Sequence, residues 1–470
     1  MRFKILIGFI CLFCLGAQAS IYISVSGANV KRAKLALGQL HLLAGAGASN
    51  PALSKKISDQ IQSDLEFENL FDFVSPSLFT ALDQPQDFYN IQYDKFMALG
   101  ASFVLKVAYR SDGGQLTLEA LLYDVAGQKK IFGTRYQYPE SHYPRLVHAL
   151  AEDVLRELTG EKGLFFSRVL MACKDRNRRR PAQEIYIVDA DGRNPIALTS
   201  DGTLSLSPAW APNAKRIAYT QFQWRINGRT RAKAIALLIH NLETGARRTL
   251  SALPGINSGA AWSPDGNQIA ATLSFTHYPK IYLLNPNSTS AAPQSLSDQI
   301  LYRKISGDGY DVGSEETMFD VEPNWSPDGK KMVFSSKRTG HPNIYIVDMT
   351  NKIASQLTFA GTYNASPAWS PKGDKILFAA QRAREGHFDI YQIDPDGNNL
   401  TRVTNGDEQG ARVNSENPSW APTGRHFVFA NDADGYYEIY AMTSDGHYRR
   451  KISPPGKECT TPAWGPYEGP

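Results

Sequence analysis

Cysteine is scarce in this chain. Its 470 residues hold four, Cys11, Cys14, Cys173 and Cys459, and none stands in the Cys/His spacing of a zinc site. A surplus of either charge is also missing, since 50 Lys+Arg against 46 Asp+Glu leave a formal +4. Dedicated nucleic-acid binders carry a strongly basic domain, so no nucleic-acid partner is expected. Long apolar runs are absent apart from one of eleven residues, Ile5 to Leu15, which excludes a multi-span membrane protein. No G-x-S-x-G elbow occurs, which argues against an α/β-hydrolase nucleophile.

The composition that remains, 42% hydrophobic and 20% charged, is that of a folded soluble protein. Arg2 and Lys4 precede the single apolar run, and Ala17-Gln18-Ala19 follows it. This is the pattern of an export signal, with residues 1–19 removed by cleavage after Ala19. Cys11 and Cys14 lack the small preceding residues of a lipoprotein signal. Two cysteines then remain in an exported chain, and such a pair is a disulfide candidate.

Six of the seven tryptophans share one short motif. They are Trp210, Trp262, Trp325, Trp369, Trp420 and Trp464, each with Pro two residues on, and the intervals are 52, 63, 44, 51 and 44 residues. The fullest form is Trp325-Ser326-Pro327-Asp328-Gly329. A second motif interleaves with it, as Ile185-Tyr186, Ile281-Tyr282, Ile344-Tyr345, Ile390-Tyr391 and Ile439-Tyr440.

Each repeat offers four strand signals. These are the Pro-x-Trp segment, a strand after the Pro-Asp-Gly turn such as Lys331 to Phe334, the Ile-Tyr segment, and a short Leu-Thr strand such as Leu357-Thr358. Four strands at this period describe propeller blades, although the Trp-Asp signature of the commonest class is missing. Arg168 to Ala172 reads as a second strand with no Trp motif before it, while the Trp464 motif has no strand after it. The two ends complement each other, so the C-terminal strand is expected to enter the first blade and close a ring of six over residues 165–470.

Residues 20–164 differ in texture. Strands are expected at Ile21 to Ile23, Ala36 to Leu43, Ala101 to Tyr109 and Leu116 to Asp124, and helices at Ser54 to Leu65 and Tyr143 to Leu158. The fold class is therefore an α/β N-terminal domain plus an all-β six-bladed β-propeller.

An export signal, a small α/β domain, the junction Leu158-Thr159-Gly160-Glu161-Lys162-Gly163 and six Trp-x-Pro repeats, two of them in the full form Trp-Ser-Pro-Asp-Gly, resemble the TolB family of periplasmic Tol–Pal components. The third interval departs from the pattern by an insertion around Asp298 to Glu316. The resemblance implies a periplasmic, non-enzymatic adaptor that needs no cofactor or metal. It implies a monomer that binds a Pal-like outer-membrane lipoprotein on the propeller. It further implies that a TolA-like inner-membrane protein engages the mature N-terminus and that the whole supports envelope integrity and constriction at division. The alternative is an exported propeller enzyme of the peptidase or lyase type, acting on envelope polymer.

The residues three before each Trp are Ser207, Gly259, Glu322, Ser366, Asn417 and Thr461. Five are uncharged, so the lone carboxylate is read as serving recognition rather than folding. By resemblance, Ile256, Gly259, Val321 and Glu322 form the lipoprotein-binding set. Asp320 and Glu322, with Glu315 and Glu316, make an acidic cluster. Arg178, Arg179 and Arg180 in one loop and Arg229 and Arg231 in the next make a basic sector, which is either a solvated loop pair or an anionic contact. His341 and His387 occupy the same place in successive blades, as two metal ligands or, preferably, as two loop caps. Setting Trp210 opposite Arg216 puts Ser205 opposite Gln221, and so Cys459 opposite Cys173. Two readings stand for that pair, a ring-closing disulfide or two unrelated buried thiols.

Overall fold

The computed structural model describes residues 22–23, 32–43, 50–84, 88–177, 182–227, 230–288, 292–304, 309–311, 319–382, 386–406 and 412–469. The signal segment 1–19 lies outside them. The chain forms two compact units, Met1–Glu66 with Leu70–Lys162, and Phe67–Asn69 with Gly163–Pro470.

The first unit runs β1 (Ala33–Leu42), α1 (Pro51–Phe67), β2 (Phe71–Phe73), α2 (Tyr93–Ala98), β3 (Phe103–Asp112), β4 (Gln115–Asp124), β5 (Lys129–Pro139) and α3 (Tyr143–Thr159). The strands form one mixed sheet in the order β2-β1-β3-β4-β5. Helical spacing buries Ile57, Ile61 and Leu65 of α1 completely, and likewise Leu146, Val154 and Leu158 of α3. α3 ends where Gly160 turns to φ 73°, a left-handed cap that suits a residue without Cβ. Thr159 Oγ1 closes the same turn by accepting the Glu161 amide at 3.0 Å. Tyr22 and Ile23 are not a strand. Their amides donate to the Leu158 carbonyl at the end of α3 instead.

The second unit is a six-bladed propeller. Its blades, from the inner strand outward, begin with Lys457–Trp464 beside Arg168–Asp175, then Ser205–Trp210, Asn257–Trp262, Asp320–Trp325, Tyr363–Trp369 and Ser415–Trp420. Among the described residues five blades have four strands. The fourth has six, because the insertion adds Leu301–Arg303, parallel to Ile353–Gln356, and then Tyr310–Asp311 at the outer edge.

The recurring motifs are local hydrogen-bond devices. Ser263 Oγ donates to Asp265 at 2.5 Å and accepts the Gln268 amide at 2.9 Å, and Ser326 repeats this with Asp328 and Lys331. The Leu-Thr pairs lie just past the fourth strands rather than in them. Thr199, Thr358 and Thr404 each accept, through Oγ1 at 2.9 Å, the amide of the Ile of the Ile-Tyr pair in the third strand. That donor would otherwise be buried without a partner.

The ring closes on blade 1, where Cys459 stands opposite Cys173 and the two are joined, with S–S 2.08 Å. In blade 2 Trp210 faces Ile217, one residue away from the expected Arg216, and a bulge then returns Ser205 to Gln221. The bulge recurs between Thr460 and Ala463 of the closing strand, whose Trp464 faces Val169.

Within the propeller unit, His426 is fully buried, and its Nε2 donates to the Phe67 carbonyl at 2.6 Å. Glu68 lies beside it and binds Arg425 at 2.7 Å. Burial, above all, holds the His426 pKa down at about 4, against an ordinary 6.5.

Two predictions follow from this architecture. The Cys173–Cys459 bond closes 286 residues of chain, for which loop-entropy models set a ceiling of roughly 5 kcal/mol. Cys459→Ser is expected to lower the thermal midpoint as much as reductant lowers that of the native protein, and alkylation without reductant is expected to label no thiol. His426 has a folded pKa below its unfolded one, so between pH 6.5 and 4 the unfolded chain binds a proton that the folded chain refuses. Stability from this group is therefore present above pH 6.5 and is lost as the pH falls toward 4. Denaturant melts across that window are expected to show the decline, and His426→Gln to flatten it.

Candidate partner-binding site

The innermost strands line a channel of 480 Å³ walled by the Pro-x-Trp segments of all six blades. One residue before each segment the backbone turns left-handed, at Ser207, Gly259, Glu322, Ser366, Asn417 and Thr461, with φ between 46° and 61°. Positive φ is uncommon for residues other than glycine, yet five of the six are not glycine. Each sits in a bulge, where pairing with the second strand slips by one residue.

Hydrogen bonds from blade to blade hold these turns. Ser207 donates its amide to Thr461 Oγ1 at 3.2 Å. Ser366 donates its amide to Glu322 Oε2 at 2.7 Å and its hydroxyl to Oε1 at 3.2 Å. Asn417 Nδ2 donates to Ser366 Oγ at 3.1 Å. Ser335 Oγ adds a third donor to Glu322 at 3.0 Å. The carboxylate therefore does serve the fold, in the place that a threonine hydroxyl fills between blades 1 and 2. The expectation that it stands outside folding is corrected on that point.

The structure brings Gly259 and Glu322 together. A Cβ on Gly259 would lie 4.0 Å from the Glu322 Cα and 3.4 Å from Thr272 Oγ1, and that hydroxyl accepts the Glu322 amide at 3.3 Å. Val321 is half-buried on the same strand, and Ile256 is exposed at the start of blade 3. Sequence reasoning missed Tyr363, which is 43% exposed. Burial first, then Glu322 and Glu416, push its phenol pKa up, so at neutral pH it remains a hydrogen-bond donor beside two carboxylates. Nothing in the repeat pattern marks Tyr363, because it precedes the recurring Pro-x-Trp segment by several residues.

Other candidates divide differently. Asp320 is fully buried and accepts the Tyr302 hydroxyl at 2.7 Å, so it is no part of an exposed acidic patch. Glu315 and Glu316 lie outside the described residues. So do Arg178, Arg179, Arg180 and Arg229, while Arg231 stands opposite Ile226 on a strand of blade 2. Neighbours of the expected basic sector are neutralised, Lys174 by Glu458 at 3.0 Å and Arg176 by Glu438. His341 is exposed, whereas His387 is buried 3.2 Å from Asp389. Asp389 also receives Arg402, Thr404 Oγ1 and the Gly406 amide, which is a loop cap. Among the described residues no group of three or more His, Cys, Asp or Glu is placed to hold a metal ion, and no helix is long and apolar enough to cross a membrane.

Residues 155–468 match the family model described as TolB beta propeller domain, and residues 21–131 match the TolB amino-terminal domain. The chain belongs to the TolB family. It is 33% identical over 317 residues to a protein TolB homolog of Chlorobium chlorochromatii, covering 67% of this chain. It is 31% identical over 264 residues, 56% of this chain, to a Tol-Pal system protein TolB of Alcanivorax borkumensis. The matched stretches span 64% and 57% of those relatives' own lengths. The crystal structure of TolB from Acinetobacter baumannii shares the fold, with a TM-score of 0.73 at 23% identity, over 95% of this chain and 100% of that one. The TolB propeller match begins inside α3, ahead of the propeller unit itself.

The hydrogen bonds of Glu322 generate a prediction about stability. Glu322→Ala leaves the Ser366 amide without its acceptor, at a cost of about 1–3 kcal/mol. Glu322→Gln keeps one acceptor oxygen and is expected to lose less. Urea unfolding of the two variants beside the native protein gives the comparison, and equal stability of all three would dismiss the brace.

Proposed function

We propose that this protein is an exported, non-enzymatic adaptor of a Tol–Pal-type envelope system. On this reading the propeller binds a Pal-like outer-membrane lipoprotein, and the mature N-terminus engages a TolA-like inner-membrane protein. The observation that carries the reading is the match of both TolB domains, in order, along one chain. The name of the Alcanivorax relative supports the Tol–Pal assignment. The export signal at residues 1–19 supports a periplasmic site of action, and with it a role in outer-membrane integrity and constriction at division.

The partner set is Ile256, Gly259, Val321 and Glu322. A site at the channel mouth has physical support in its rigidity. Its turns are fixed by inter-blade hydrogen bonds before any partner arrives, so little ordering cost attends binding. Glu322 supplies charge, Tyr363 a donor, and Ile256 an exposed apolar contact.

Loss of the protein is expected to make cells sensitive to detergent. Photo-crosslinking from position 256 in cells is expected to capture a lipoprotein with a peptidoglycan-binding domain. Glu322→Gln removes the charge while sparing most of the brace, and calorimetry with that lipoprotein is expected to show a loss of about 1–3 kcal/mol. Unchanged affinity with unchanged stability removes Glu322 from the site.

A further inference from the structure

The middle strands of blade 2, Arg216–Asn227 and Thr230–Asn241, run 12 residues each. Second strands elsewhere in the ring have between 5 and 8. The inner strand pairs no further than Gln221, and the outer strand no further than Leu237. The rest of the pair projects as a two-stranded ribbon. Its register sets Phe222 opposite Ile235 and Trp224 opposite Lys233, and alternation puts all four on one face. Trp224 is 50% exposed, with the Lys233 ammonium 5.5 Å from its ring centre. It is the single tryptophan outside the repeat motif, so repetition does not account for it.

Phe222, Lys233 and Ile235 of that face form one wall of a cleft of 400 Å³, the loop entering blade 3 forms the other, and Trp224 flanks the cleft one pair further along the ribbon. The loop is built rigidly around the fully buried Asn257. Its Oδ1 accepts the Ser251 hydroxyl at 2.6 Å and the Leu253 amide at 3.2 Å, and its Nδ2 donates to the Leu253 carbonyl at 2.7 Å. The cleft is lined by Phe222, Ile235, Leu253, Pro254 and Ile256, with Lys233 at its side. No Asp or Glu occurs from Arg216 to Asn241, a stretch that holds Arg225, Arg229, Arg231 and Lys233.

The geometry points to a docking cleft for an extended polypeptide segment that carries one aliphatic or aromatic anchor flanked by Asp or Glu. The anchor side chain enters the cleft and the carboxylates meet the Lys233 ammonium at its side. An acidic glycan satisfies the charge but not the walls. Its hydroxyls would be buried against five apolar side chains with no partners, which is unfavourable. The cleft shares only Ile256 with the channel-mouth set, so the two sites are separable by mutation.

The test uses fluorescence anisotropy of the full-length mature protein with three labelled synthetic peptides. One has a central Leu flanked by Glu, one has Lys in place of Glu, and one has Ala in place of Leu. The first is expected to bind at least roughly tenfold tighter than the others and to weaken with salt. Trp224→Ala and Lys233→Glu are expected to reduce that binding about tenfold, and Lys233→Glu to improve the Lys-flanked peptide. Both variants are checked for an unchanged thermal midpoint. Glu322→Gln is expected to leave peptide binding intact, which keeps this outcome distinct from the channel-mouth reading. Equal binding of the three peptides, or none at millimolar concentration, overturns the proposal. Binding of polygalacturonate that is lost in the same two variants overturns it as well.

Discussion

The contact on which the propeller depends is the one between a tryptophan and the blade before it. Trp210, Trp325 and Trp420 donate their indole N–H to the carbonyls of Ala463, Ala261 and Ala368, at 3.0 to 3.2 Å. Each acceptor is the residue just before the Trp of the preceding blade. The aromatic bodies follow the same rule. Trp210 packs with Leu170 and Ile185 of blade 1, and Trp420 with Leu377 and Ile390 of blade 5. The apolar clusters therefore lie between blades and not inside them. A single blade has half a core, which is why the repeat is viable only as a closed ring.

Closure explains the phase of the chain. The first blade takes its inner strand from the C-terminus, so its two halves are the most distant residues of the propeller in sequence. The Cys173–Cys459 bond sits on the strand pair where the ring would otherwise open. Six similar interfaces then tolerate local additions, provided that these stay outside the Trp contacts. The extra strands of blade 4 lie on its outer edge, and the ribbon of blade 2 extends past its inner strand.

The channel mouth shows how one position serves two ends. At Ser207, Glu322 and Ser366 the left-handed bulge turns a backbone amide toward the preceding blade, and a side chain of that blade receives it. Threonine does this with a hydroxyl and Glu322 with a carboxylate. A carboxylate has more acceptor capacity than one amide uses, so Glu322 braces blade 5 and still presents negative charge. The repeat's folding requirement and the site's chemistry meet in the same atoms.

Sequence alone determined the repeat, the six blades, the C-terminal closing strand, and α1 and α3. These are readable because period, turn chemistry and alternation are local, and because repeats display their own alignment. It did not reveal the bulges. The register at Cys173 matched only because a one-residue slip near Trp464 is absorbed before Cys459 is reached, and a slip of φ leaves no mark in residue type when Ser, Glu, Asn and Thr all accept it. Nor did it show that Asp320 is buried under Tyr302, that His387 rather than His341 is enclosed, or that Tyr363 stands near Glu322. Asp320 is covered by an added strand of its own blade, His387 by a loop of its own blade, and Tyr363 reaches Glu322 across the junction of two blades, so each proximity is decided by tertiary packing and leaves no mark in the local sequence.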